Sequence, residues 1–127
     1  MTMVLADTSV WVRHFRRADA ALQSLVSADR VLCHPLILVE LACGTPPAPR
    51  DRTLRDLSAL QRPVVATIDE TMDLIEQERL YDTGCGAVDV MLLASTMLTS
   101  DALLWTDDLK LRALAIRLDV AYSPARH

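Results

Sequence analysis

Short apolar runs alternate with amphipathic stretches along the chain. Residues 3–6, Met-Val-Leu-Ala, form the first run and read as a buried strand. Thr8 or Ser9 then suits the N-cap of a helix starting near Val10. A second helical stretch over 19–28 puts Leu22, Leu25 and Val26 on one stripe, and Val31-Leu32-Cys33 reads as a second strand. Pro35 fits the first turn of a helix that runs to about Cys43 and stops at Gly44. The prolines at 46, 47 and 49 make the following segment a loop. Residues 51–60 read as an amphipathic helix with Leu54, Leu57 and Leu60 on its apolar side.

Val64-Val65-Ala66 is a further candidate strand, and Thr67-Ile-Asp-Glu70 matches a capping box that opens a helix to about Tyr81. Gly84-Cys-Gly86 interrupts it, and residues 87–99 form an apolar helix. Leu103-Leu104-Trp105 reads as a strand, with Thr106 or Asp107 capping a helix that groups Leu111, Leu114, Ala115 and Leu118. Val120-Ala-Tyr122 is a last short strand. The alternation predicts one α/β domain over 1–127, a three-layer α/β/α fold around a parallel sheet of four to five short strands. In such sheets the ligand site lies at the carboxyl ends of the strands.

Three features of this pattern carry chemistry because they break it. Asp7 is the only charged residue in the first twelve positions. Between Val31 and Pro49 the only charge is Glu40, and between Gly86 and Ser100 it is Asp89. Each has an ordinary explanation: Asp7 fits a helix cap, Glu40 a core carboxylate paired to an arginine, and Asp89 the first turn of its helix. Yet Asp7 and the pair Asp107-Asp108 follow strands, while Glu40 and Asp89 lie within two turns of helix starts at the same edge. Carboxylates gathered on one rim repel, and a divalent cation is the natural compensation. Oxygen donors suit Mg²⁺ or Mn²⁺, and such a site can serve phosphodiester hydrolysis.

Composition narrows the field without changing it. The chain is 51% apolar, and no apolar run approaches the ~20 residues of a membrane helix. No basic leader or cleavage site marks a signal peptide. Cys33, Cys43 and Cys85 are odd in number and form no C-x-x-C pair, which fits a reducing cytoplasm; their spacing with His34 matches no common zinc pattern. A net charge of −4 argues against a nucleic-acid coat protein but not against a nuclease with a local basic surface. Arg13, His14, Arg16 and Arg17 form the densest basic cluster, and Arg50, Arg52 and Arg55 a second; each fits phosphate contacts or a solvated face. Trp11, Phe15 and Trp105 read as core or interface.

Four stretches bring these residues under one heading: DTSVW at 7–11, VELACG at 39–44, GCGAVDVMLLAS at 84–95 and LLWTDDLKL at 103–111. With them the sequence resembles the PIN-domain ribonucleases, specifically the VapC toxins of bacterial toxin–antitoxin modules. The resemblance implies a PIN-like fold and a Mg²⁺- or Mn²⁺-dependent endoribonuclease acting on tRNA or rRNA. It carries the family's acidic positions onto Asp7, Glu40, Asp89 and Asp108 as catalytic metal ligands, with Ser9 supporting the first. It further implies a VapB-type antitoxin partner, a homodimer and a toxin–antitoxin hetero-oligomer. Asp107 and Leu109 depart from the family pattern, where basic residues are common, and leave the rim more acidic. Two rivals remain. A non-catalytic RNA- or protein-binding module would keep the PIN fold, and a signalling receiver would need adjacent acids after its first strand and a lysine after its last, neither of which is present.

Overall fold

The computed structural model describes residues 1–124. β1 (Met3–Ala6) lies at the centre of a parallel sheet ordered β2-β1-β3, between β2 (Val31–Leu32) and β3 (Ala102–Trp105). The register pairs Val4 with Val31 on one side, and Met3 with Ala102 through Ala6 with Trp105 on the other. Val4, Leu5 and Ala6 are fully buried, as a central strand covered on both faces requires. Helices complete the three layers: α1 (Thr8–Arg16), α2 (Ala20–Ser27), α3 (Pro35–Cys43), α4 (Arg50–Ser58), α5 (Ile68–Glu78), α6 (Ala87–Leu98) and α7 (Leu109–Arg117).

The sheet has three strands among the described residues, not the four to five expected. The segment at 64–66 forms no strand. Two of its amides are taken by side chains on or next to α6: Val64 N–H donates to Thr99 Oγ1 at 2.8 Å and Ala66 N–H to Ser95 Oγ at 3.0 Å. The segment at 120–122 makes only an isolated bridge, Ala121 to Leu104, and Gln61 makes a similar bridge to Leu32 on the other edge. Both sheet edges are thereby covered by short bridged segments.

Helix starts are set by local chemistry. The capping box at Thr67 and Glu70 forms as expected. The cap of α1 is Asp7 rather than Thr8 or Ser9, and the cap of α7 is Asp108 rather than Thr106 or Asp107. α5 ends at Glu78, short of Tyr81, because Arg79 turns left-handed at φ 53°. Trp11 and Trp105 are both 4% exposed and belong to the core.

Candidate active site

β1 delivers Asp7 to the carboxyl edge of the sheet, and β3 delivers Thr106 beside it. Asp7 is 6% exposed. Its Oδ1 caps α1 by accepting from Val10 N–H at 3.3 Å. Capping does not account for the rest of its surroundings. Ser9 Oγ donates to Oδ1 at 2.5 Å, and Thr106 Oγ1 donates to Oδ2 at 2.5 Å. Each hydroxyl is oriented in turn, because Ser9 Oγ accepts Asp107 N–H and Thr106 Oγ1 accepts Asp108 N–H, both at 3.0 Å. Burial pushes the Asp7 carboxyl above its ordinary range, outweighing these three hydrogen bonds, and the Asp107 charge adds to the rise.

Asp89 stands in the first turn of α6, half-buried. Its carboxyl is raised by burial first, then by the charges of Asp108 and Asp7, with Glu40 adding a smaller push against a Gly86 backbone hydrogen bond. The helix of Glu40, α3, starts at the same edge, and Glu40 Oε1 accepts from Thr8 Oγ1 at 2.7 Å. Asp108 spends Oδ1 on the Leu111 N–H at 2.9 Å as the cap of α7. Asp89 is therefore within electrostatic reach of the other three sequence-predicted acids. Among the described residues none of the four forms an ion pair.

This donor set fits a hard divalent cation: oxygen only, mutually repelling and without a cationic side chain to balance it. As the side chains lie, no three acidic, histidine or cysteine groups among the described residues close directly on one point. Mg²⁺ usually keeps several waters, so coordination partly through water suits such a rim better than a closed protein cage.

The basic cluster divides. Arg13 is spent within the protein: Nε donates to Asp107 at 2.6 Å, one terminal nitrogen donates to Asp19 at 2.5 Å, and the guanidinium stands 5.8 Å from the Trp105 ring centre. The two carboxylates hold Arg13 firmly charged. Arg13 also offsets the acidity expected of Asp107 at the rim. His14 Nδ1 accepts the Asp19 N–H, whereas Arg16 and Arg17 stay exposed. In the second set, Arg50 donates to the Ala42 and Gly44 carbonyls at the end of α3.

Two features escape sequence reasoning. Thr8 supports Glu40, although the sequence suggests its hydroxyl only as a cap. His34 is fully buried, and its Nδ1 accepts the Leu36 N–H at 3.0 Å as the cap of α3. Its Nε2 therefore carries the proton, 3.0 Å from Ser95 Oγ on α6. Burial, helped by the Arg62 charge, lowers the His34 pKa and favours this neutral form. The link ties the helix carrying Glu40 to the helix carrying Asp89. No sequence signal marks it, since a lone histidine before a proline carries no such pattern.

Comparison with known proteins bears on the family and the fold. The family profile described as PIN domain matches residues 4–117. Ribonuclease VapC32 of Mycobacterium tuberculosis, found in two strains, is 44% identical over 119 residues, covering 94% of this chain and 95% of that protein. The crystal structure of PAE2754 from Pyrobaculum aerophilum superposes with a TM-score of 0.59 at 16% identity, covering 93% of this chain and 90% of that one. At that identity the last likeness speaks to the fold alone.

Proposed function

This chain belongs to the PIN-domain family, among the VapC ribonucleases, and from that membership we propose a Mg²⁺- or Mn²⁺-dependent endoribonuclease. It acts as the toxin of a type II toxin–antitoxin system, cutting structured RNA of the tRNA or rRNA class and so inhibiting translation and growth. The observation that carries the reading is the rim of Asp7, Glu40, Asp89 and Asp108, unpaired among the described residues, with Asp7 held by two oriented hydroxyls.

When bound, a divalent cation supplies Lewis-acid polarisation of a phosphate oxygen and a lowered pKa for a water. The four carboxylates bind and orient it. Ser9 and Thr106 fix the rotamer of Asp7, Thr8 fixes Glu40, and the His34–Ser95 link holds α3 against α6. Arg16 and Arg17 remain free to meet RNA phosphates. The partner is a VapB-type antitoxin. A groove of about 510 Å³, lined by Thr8, Val12, Phe15, Arg16 and Glu40, opens beside the site and suits an antitoxin tail. The toxin works in the cytoplasm, as a homodimer or in a hetero-oligomer with that antitoxin; no described helix is long and apolar enough to cross a membrane.

The test is cleavage of a labelled RNA by the purified protein with Mn²⁺, with EDTA, and with Mn²⁺ restored. Cleavage that stops with EDTA and returns with Mn²⁺ supports the reading. Cleavage indifferent to EDTA removes the metal, and none in any divalent cation favours the non-catalytic binding module.

The adjacent aspartates should separate cleanly. Asp108→Asn keeps the cap of α7, because asparagine caps as well as aspartate, but it loses a charge at the rim. It should raise the Mn²⁺ concentration for half-maximal cleavage with little change in melting temperature. Asp107→Asn instead weakens an exposed pair with Arg13, costing about 0–1 kcal/mol of stability, and leaves the Mn²⁺ requirement in place. A Mn²⁺ titration of both variants checks this; the reverse pattern would put Asp107 at the metal.

A further inference from the structure

Lys110 is the sole lysine of the sequence. It sits in the first turn of α7, two residues beyond Asp108, where a cation gains nothing from the helix dipole and is placed against it. Helix stability therefore does not explain it. Nor does ion pairing, since among the described residues no carboxylate lies within 4 Å of its ammonium. Its side chain is nevertheless seated. The stem lies over Gly84, with Cδ, Nζ and Cε at 2.8, 3.0 and 3.2 Å from where a Cβ on that glycine would stand. Gly84 itself turns at φ 84°, a conformation that favours glycine.

Gly84 belongs to the turn that leads into α6 and Asp89, so Lys110 reaches from the start of α7 to the approach of α6. Electrostatics agree with that placement. Burial raises the Cys85 thiol, next to Gly84, and the charges of Asp89 and Asp108 raise it further, while the Lys110 charge pulls it down. One thiol thus feels both acids and the ammonium.

We propose that Lys110, seated in the slot left by Gly84, binds a backbone phosphate of the RNA beside the carboxylate rim. The assignment rests on the ribonuclease reading. A rim of acids repels a polyanion wherever no cation faces it, and an ammonium on a seated stem puts one positive charge at the edge where the strand must pass. Such a contact sets affinity and register rather than base choice. Lys110 is a positioning residue for the substrate, not a ligand of the metal.

The experiment measures binding of a fluorescein-labelled single-stranded RNA in EDTA across a salt series, for wild type, Lys110→Gln and Lys110→Arg. A second arm measures kcat and KM for cleavage of the same RNA with Mn²⁺. Lys110→Gln should weaken binding roughly tenfold and make the salt slope shallower by about one phosphate contact, about 0.7 for a single strand. It should raise KM with kcat little changed, and leave Mn²⁺ affinity and melting temperature as in wild type. Lys110→Arg should restore most of the binding and the slope. If Lys110→Gln matches wild type in binding and salt slope, the proposal is overturned. It is equally overturned if the variant binds RNA normally but takes Mn²⁺ more tightly, since Lys110 is then a counter-ion of the rim. The binding arm needs no cleavage. A wild type that binds RNA without cutting it would therefore defeat the nuclease reading, while the salt slope would still decide the role of Lys110.

Discussion

Asp7→Asn should abolish metal-dependent cleavage while leaving the protein folded. The substitution keeps the volume and the cap, because the asparagine carbonyl can still accept the Val10 N–H. What it removes is the charge, and it turns one of two acceptor oxygens into a donor. The Ser9 and Thr106 hydroxyls donate to different oxygens of Asp7, each at 2.5 Å, so an asparagine that keeps its carbonyl at the Ser9 and Val10 side turns a donor amide nitrogen toward Thr106. Groups that merely support a metal ligand usually cost ~10–100-fold in affinity or activity when removed. Ser9→Ala and Thr106→Val should fall in that range, and Asp7→Asn should exceed it. The melting temperature without metal should hold or rise, because a carboxylate buried at some desolvation cost has lost its charge. Cleavage rates at saturating Mn²⁺, with thermal melts of the same samples, check all three variants. Full activity of Asp7→Asn would exclude Asp7 from the site, and a large fall in melting temperature would make it a structural carboxylate.

Asp7, Glu40 and Asp89 are legible in the sequence because each is the lone charge in an apolar stretch, although the structure buries Asp7, half-buries Asp89 and leaves Glu40 exposed. The central strand, the apolar α6 and the Thr67 capping box are legible for a related reason: their signals are local and strong. What the sequence does not show depends on partners far along the chain. The Val64–Ala66 segment looks like a strand, but whether it pairs depends on what lies beside it, and Thr99 and Ser95 take its amides. The caps of α1 and α7 differ from expectation for a physical reason specific to the site. Ser9 and Thr106 are good capping residues in isolation, yet both hydroxyls are drawn to Asp7, and the aspartates cap instead. The acidic rim at Asp107 looks unopposed in the sequence because its partner, Arg13, stands 94 residues away. The His34–Ser95 link spans 61 residues and has no local signature.

Asp89→Asn should raise the melting temperature of the metal-free protein although it destroys activity. The sign follows from linkage. Burial and the charges of Asp108, Asp7 and Glu40 raise the Asp89 carboxyl above its value of 3.8. A group with a raised folded pKa binds more protons folded than unfolded. The metal-free fold therefore loses stability as pH rises from about 3.8 through the folded value, and at neutral pH the full repulsion is present. Asp7 is raised in the same direction and behaves likewise. Asparagine at 89 removes one charge at nearly constant volume. Against that gain stands the loss of a favourable anion in the first turn of α6, ~0.3–1 kcal/mol, which limits the net rise at neutral pH; near pH 4, where the wild-type carboxyl is protonated in the fold, the rise should vanish. Metal reverses the order. A cation bound only by the folded state, at a hundred times its dissociation constant, stabilises by ~2.7 kcal/mol. Millimolar Mn²⁺ should thus raise the wild-type melting temperature clearly and that of the variant much less. Thermal unfolding of both proteins at pH 4 and pH 7, with EDTA and with Mn²⁺, reads each of these signs. A variant less stable than wild type in EDTA at pH 7, with no response of either protein to Mn²⁺, would identify Asp89 as a paired structural carboxylate and remove the metal site with it.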